Sequence, residues 1–312
     1  MATHHLESTS ETSIDILSPD LPPVLTVSPG DTVVVHTLDS GGFFERPPAT
    51  GEKRPQLIEN LRGHCLVGPI AVEGTEPGQV LAVHFVSLLP DDWGLTGAGV
   101  ADTPLNRRLG FDGSNGTRLL WDLDVEAGVG TNQLGLSTAL KPFLGVVAMT
   151  PSEPGEHSTV PPRTLGAGNI DCRELVAGST LYIPVTVPGA LLSVGDGHAA
   201  QGDGEVSGTA IEAGMTTEMV LDIEPDPALS TVHAITPVGR ITFGFNADLN
   251  EATVDALDAM LTWMQKLYSI TKAEALGMAS TTVSLRVTQI ANDTWGVHAL
   301  LPDGAITVAR QS

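Results

Sequence analysis

The residues best suited to chemistry lie in one unbroken run, Gly195-Asp196-Gly197-His198-Ala199-Ala200-Gln201-Gly202-Asp203-Gly204-Glu205. His198, Asp196 and Glu205 are hard-to-borderline metal ligands and also acid–base groups. Glycines at this density let a backbone take unusual dihedrals and come close to a ligand. A plain Gly/Asp hairpin with solvated charges has no need of His, Gln and Glu together, so the run reads as a site. It is not an EF-hand loop. Counted from Asp196, the third and fifth positions should be Asp or Asn, and His198 and Ala200 stand there.

A second polar cluster precedes it, Gly168-Asn169-Ile170-Asp171-Cys172-Arg173-Glu174. Asp171 sits between Ile170 and Cys172, which points it inward, and an inward carboxylate needs a metal or a cation to offset its desolvation. The alternative is that Asn169 and Asp171 only cap a turn. His36 and Asp39 stand three apart at a strand end, a spacing open to metal binding, whereas His84 lies mid-strand, where a hydrogen-bonded core histidine is the ordinary case. Cys172 reads either as a nucleophilic thiolate or as a small buried residue. No Gly-x-Ser-x-Gly elbow, P-loop or dinucleotide fingerprint in a strand–helix context occurs.

These residues need a scaffold, and 34 Gly and 22 Pro in 312 residues point to short strands joined by tight turns. Residues 25–37 read as strand, Pro29-Gly30 turn, strand, and residues 66–89 as strand, Pro77-Gly78 turn and a long buried strand. Phe143 to Met149 suits a buried strand. Residues 40–62 and 91–118 read as long surface loops, the kind that often form functional lids. One segment breaks the pattern: Val254, Leu257, Leu261, Met264 and Tyr268 repeat at helical spacing. Thr271-Lys272-Ala273-Glu274 then resembles a capping box opening a second short helix, which Gly277 would end. Strand-like segments close the chain, the last of them Ile306 to Ala309. The expected fold is mostly β, with a small helical segment near 250–278. The expected organisation is a poorly ordered arm over 1–20, a β subdomain over 21–150, and a second β subdomain over 151–312 carrying the Gly/Asp/His loop.

A net charge of −22 and the absence of any basic run argue against nucleic acid and against an anionic membrane as partners. Two cysteines, Cys65 and Cys172, cannot build a disulfide framework. With no apolar run near the ~20 residues of a bilayer span and a polar, acidic start, the expectation is a cytoplasmic protein.

Taken together, these stretches resemble the acetamidase/formamidase family. The carriers are Gly168 to Asp171, Gly178 to Leu181, Pro188-Gly189-Ala190, Gly195 to Glu205, and Gly208-Thr209-Ala210-Ile211-Glu212, with weaker echoes at Gly68-Pro69 through Gly74 and at Gln289 through Ala299. One departure is local: Gly166-Ala167-Gly168 stands where a glycine pair often precedes the Asn. The resemblance implies jelly-roll-like sandwich or barrel parts and metal-dependent hydrolysis of short amides, with some related members acting on lactams. The expected reaction is cleavage of a formamide- or acetamide-like amide to carboxylate and ammonia through a metal-activated water. A divalent ion, zinc or alternatively calcium, would be held by His198, Asp171 and one or two of Asp196, Asp39 and His36. Glu205 would relay the proton to the leaving nitrogen, and Gln201 would stabilise the oxyanion. A homodimer or higher homo-oligomer is expected. The competing readings are a non-catalytic β-sandwich binding a small ligand or calcium, and a hydrolase of a larger amide or lactam.

Overall fold

A computed structural model describes residues 1–47 and 54–308. Residues 48–53 of the expected 40–62 loop, and Ala309 at the end of the last expected strand, lie outside the described residues. The chain is mostly β, as its turn-rich composition predicts.

Two sheets face each other. The larger has nine strands in the order Thr3–Glu7, Asp31–Thr37, Met215–Glu224, Val80–Pro90, Thr180–Pro184, His233–Thr236, Gly239–Asn246, Trp295–Pro302 and Ser284–Gln289. The second runs Ala167–Asn169, Phe143–Met149, Leu192–His198, Leu66–Val72 and Ser13–Ile14, with Leu25–Val27 also paired to Leu66–Val72. Val33, Val35, Val83, Phe85 and Met219 from the first sheet meet Val67, Ile70, Leu144, Val147 and Val194 from the second in one buried core.

Burial patterns separate the two sheets. Asp31–Thr37 and the first part of Met215–Glu224 alternate buried with half-buried, which is how one-sided strands behave. Leu66–Val72, Phe143–Met149 and Leu192–His198 are buried at every position. Their outer face, with Leu66, Val146 and Ala148, is covered by Leu17 and Ile14 in one cluster, and the edge near His198 by Trp121, Ile211 and Ala213 in another. Polar side chains carried by the second sheet are therefore held away from bulk water.

The Pro-Gly turns make corners, not hairpins. Leu25–Val27 pairs with Leu66–Val72, while Asp31–Thr37 pairs with Met215–Glu224 in the other sheet. Likewise Leu66–Val72 and Val80–Pro90 lie in different sheets. Because both sheets draw strands from either side of residue 150, the expected boundary there has no counterpart in the strand pairing.

Two expectations about local structure are corrected. Residues 3–17, expected within a poorly ordered arm, form strands, with Thr3–Glu7 parallel to Asp31–Thr37 and with Leu6 and Leu17 buried. The 91–118 segment is not simply a loop. Trp93–Ala98 and Thr117–Asp124 pair in a four-stranded sheet, with the short helix Pro104–Arg108 between them.

The helix Leu249–Tyr268 lies on the outside of Gly239–Asn246 and Trp295–Pro302. Its buried face is Ala252, Ala256, Met260, Leu261, Trp263 and Met264, while Val254 of the expected stripe is exposed. Small residues set this face because the helix approaches the sheet closely: a Cβ on Gly244 would sit 2.0 Å from the Ala252 carbonyl oxygen. The capping box at Thr271 and Glu274 forms as expected, but the helix Lys272–Thr282 continues through Gly277, which is exposed and has open space around its Cα.

Candidate active site

The strand Leu192–His198 presents Asp196 and His198 on one face, because side chains two apart in a strand point the same way. It pairs antiparallel with Phe143–Met149, with Phe143 opposite His198, Leu144 opposite Gly197 and Val146 opposite Gly195. The edge of the Phe143 ring meets the His198 ring at 5.1 Å and 84°. Beyond the end of the strand, Glu212 bridges antiparallel to His198 and so enters the same space. Asp171 arrives from the neighbouring turn, which is held by two hydrogen bonds from the Ile170 and Asp171 N–H groups to the Gly145 carbonyl. The loop after His198 brings in Glu205, its backbone tied to the strand Ser284–Gln289 by Gly204 N–H donating to Thr288 O.

Five titratable side chains thus converge. His198 Nε2 lies 3.4 Å from Asp196 Oδ1 and 3.3 Å from Glu212 Oε1, and His198 Nδ1 lies 4.0 Å from Asp171 Oδ1. Asp171 and His198 are each 1% exposed. The ligand-type atoms form two groups sharing His198, one with Asp171 and Glu205 and one with Asp196 and Glu212. His64 is 3.9 Å from Asp196. A cavity of about 160 Å³ opens between Ser40, His64, Asn169, Asp196, Glu205 and Glu212.

Backbone strain concentrates here. Asp171, Asp196 and Glu205 have φ of 52°, 58° and 44°, a region non-glycine residues seldom occupy. Such strain persists only where surrounding structure enforces it, and it clusters at functional sites. Gly145 supplies the space. A Cβ there would fall 2.5 Å from Asp196 Oδ2, 2.6 Å from Asp171 Oδ1 and 2.9 Å from His198 Cε1. Only a residue with no side chain lets these three meet.

The protonation balance follows from burial and mutual charge. Burial disfavours a charged His198, but the Glu212 and Asp196 carboxylates outweigh it and hold the imidazole well above its ordinary pKa. Burial also pushes Asp196 up, yet the His198 and His64 rings pull it below the usual carboxylate range. Asp171 is driven to about 8, first by burial and then by Asp196, with His198 opposing. Glu205 rises well above its usual value by burial and by the Asp171 charge.

The other expected site residues are placed as follows. Gln201 has both ends of its amide engaged: Oε1 lies 2.8 Å from His198 Nδ1, and Nε2 donates to Asp171 O at 2.7 Å. It therefore orients His198, and the oxyanion contact expected of it is not what this placement provides. Asp39 accepts from Phe43 N–H at 2.8 Å and faces Arg54 at 3.8 Å. It shares an adjoining cavity of about 310 Å³ with Glu212, and burial lifts it to about 6, with Glu212 and Asp196 adding to the rise. His36 is not brought in: its ring is paired with Asp91 at 3.2 Å and Glu7 at 3.5 Å. His84 is exposed and bonded to Thr180.

Two residues escaped the sequence reading as ligands. Glu212 ends the glycine-rich stretch that carries the resemblance, but nothing in its spacing tells that it folds back on His198. His64 sits just before Leu66–Val72, whose Leu66 pairs with Gly195, and that register is not legible in sequence.

The donor set fits a cation. Both carboxylate oxygens of Asp171, Glu205 Oε2, Glu212 Oε2 and His198 Nε2 are buried without hydrogen-bond partners, and an orphaned buried charge is too costly to persist alone. With Nδ1–H donated to Gln201, His198 turns Nε2 toward Asp196 and Glu212, where a bound cation would take the place of the Nε2 proton.

Comparison with known proteins gives the chain's family and fold relatives. The Acetamidase/Formamidase family profile matches residues 2–157 and 155–236. The chain belongs to that family. A formamidase of Methylophilus methylotrophus is 28% identical over 240 residues, covering 61% of this chain and 58% of that protein. The chain spans between 58% and 64% of the length of the curated relatives it matches. Among solved structures, acetamidase from Bacillus halodurans superposes with a TM-score of 0.83 at 25% identity, over 96% of this chain and 97% of that one. Acetamidase from Yersinia enterocolitica does so with 0.84 at 27%, over 98% and 93%. No helix among the described residues is long and apolar enough to cross a membrane.

Proposed function

We propose that this family member hydrolyses a small aliphatic amide, of formamide or acetamide size, to a carboxylate and ammonia. The observation that carries the reading is the convergence of His198, Asp171, Asp196, Glu205 and Glu212, with His198 Nε2, both Asp171 oxygens, Glu205 Oε2 and Glu212 Oε2 unpartnered, beside a cavity lined by Asp196, Glu205 and Glu212. At about 160 Å³ it is smaller than the ~300–1,000 Å³ of pockets for drug-sized ligands. That size favours a small amide over a bulky one.

Asp196, His198 and Glu212 would hold a divalent ion, and the imidazole nitrogen in that set favours zinc over calcium, which takes oxygen ligands. When bound, such an ion polarises the carbonyl and makes water acidic. The chain's own residues supply the rest. Asp171 and Glu205, buried side by side, both have raised affinity for protons, and two such carboxyls retain a proton between them near neutral pH. One member can accept a proton from the attacking water while the other delivers one to the nitrogen. Glu205 lines the cavity together with Asp196 and Glu212, which makes it the member of the pair to face substrate. Protonation lets the carbon–nitrogen bond break with ammonia leaving, and water oxygen remains on the carbonyl carbon. Gln201 keeps His198 in the tautomer and orientation the site needs.

The test is Glu205→Gln, assayed by ammonia release from formamide and acetamide with and without chelator. The expected result is a folded protein with its metal content unchanged and turnover down by ~10²–10⁴-fold, the usual contribution of a general acid–base. Turnover at the parent rate would overturn the assignment.

A further inference from the structure

A second cluster of ligand-type atoms lies back to back with the first. Asp171 faces the chamber, and the next residue, Cys172, faces the other way with Glu174 and His298. All three are buried: Cys172 and His298 are 0% exposed and Glu174 8%. His298 Nδ1 is engaged by Thr288 Oγ1 at 2.8 Å, yet Nε2, on the opposite edge of the ring, has no partner. Nε2 is 3.5 Å from Glu174 Oε2, which is itself 3.4 Å from Cys172 Sγ.

From these contacts we propose a second divalent-cation site of the zinc class, formed by Cys172 Sγ, Glu174 Oε2 and His298 Nε2. The spacing agrees with the chemistry. Bond lengths of ~2.3 Å to sulfur and ~2.0–2.2 Å to nitrogen and oxygen, at tetrahedral angles, separate ligand atoms by about 3.4–3.6 Å. A sulfur, an imidazole and one carboxylate oxygen select zinc-like ions over calcium or magnesium. The supporting shell is present. Thr288 fixes the His298 tautomer, and Arg286 donates to Glu174 Oε1 at 2.6 Å, turning Oε2 toward the other two ligands. Binding displaces the thiol proton to solvent, and thiolate plus carboxylate then balance the ion's charge. Glu174 and Arg286 also line a cleft of about 490 Å³, which supplies an entry path.

The ion would join the 171–174 turn to the strands Ser284–Gln289 and Trp295–Pro302. Those strands also carry the Glu205 loop, through Gly204 N–H to Thr288 O and through the Arg286–Asp203 ion pair. The site is independent of the amidase reading, because none of its three ligands lies in the catalytic chamber.

Cobalt(II) is the probe. Metal-stripped protein titrated with cobalt should develop a thiolate-to-cobalt charge-transfer band in the near ultraviolet. With only two cysteines in the chain, the band should persist in Cys65→Ala and vanish in Cys172→Ala. It should also persist in His198→Gln, which separates this site from the first. Should Cys172→Ala fail to fold, the parent and Cys65→Ala decide the matter alone. Thr288→Val should weaken cobalt binding at the thiolate site by ~10–100-fold, as loss of an orienting partner does. No cobalt binding, binding without the band, or a band lost in Cys65→Ala overturns the proposal.

Discussion

Gly145→Ala isolates the geometry of the site in a single methyl group. The added carbon would lie 2.5 Å from Asp196 Oδ2 and 2.6 Å from Asp171 Oδ1, whereas ordinary contact begins at 3.4 Å. Relief therefore needs a shift of roughly 0.9 Å in the Asp196 carboxylate and nearly as much in Asp171, if the strand stays where it is. Neither side chain has slack. Asp171 and Asp196 are held in left-handed backbone conformations, and the neighbouring His198 is fixed by Gln201 and Phe143. A displacement near 1 Å at reacting groups costs ~10²-fold in rate, or about 2.7 kcal/mol of activation free energy. Overpacking adds a stability loss of ~1–3 kcal/mol. The assay is ammonia release from formamide and acetamide, normalised to the folded fraction, alongside metal content and a thermal melt. The expected outcome is a folded protein with at least a hundredfold lower kcat/KM and weakened metal retention. A folded Gly145→Ala protein with parent kcat/KM and parent metal content would refute the claim that chemistry occurs where Asp171, Asp196 and His198 meet.

Two further outcomes test the scaffold. His233 is buried against Tyr182 and Trp263, and burial, aided by Lys266, depresses its pKa from 6.5 to about 4. The unfolded chain therefore takes up this proton first. The stability associated with His233 is complete above pH 6.5 and is lost as pH falls toward 4, up to roughly 3 kcal/mol at ~1.4 kcal/mol per unit. Denaturant melts from pH 7 to pH 4 should show this loss, and His233→Gln should flatten it; an unchanged slope in the variant would assign the loss to other groups. Gly277 lies exposed inside a helix with open space at its Cα, so Gly277→Ala should stabilise by ~0.5–1 kcal/mol and leave turnover unchanged. A lowered melting temperature would mean that the helix ends before this residue in solution.

The sequence disclosed chemistry where the residues concerned were contiguous. Asp196, His198 and Glu205 stood out because strand alternation and dense glycine act over a few residues, and Asp171 because its neighbours forced it inward. The same local logic found the capping box at Thr271 and the turns at Pro29-Gly30 and Pro77-Gly78. It missed that those turns pass the chain between sheets, because a corner and a hairpin use the same residues and differ only in which partners the strands find. His36 and Asp39 show the converse error. Three apart at a strand end, they looked like a ligand pair, yet Asp39 turns to Phe43 N–H and Arg54 while His36 pairs with Asp91 and Glu7.

What remained hidden depends on register. Glu212 enters the site because it bridges to His198, and His64 because the strand after it pairs with Leu192–His198. Gly145 is the sharpest case. In Phe143-Leu144-Gly145-Val146-Val147-Ala148-Met149 it looks like a weak point in an apolar strand, and no local rule marks it. Its meaning appears only when pairing with Leu192–His198 sets it against Asp196 while its carbonyl holds the Asp171 turn. One small residue then decides whether two carboxylates distant in sequence can share one imidazole. Ligand type is written locally, but ligand convergence is a property of strand pairing, and the missing side chain at 145 is where the two meet.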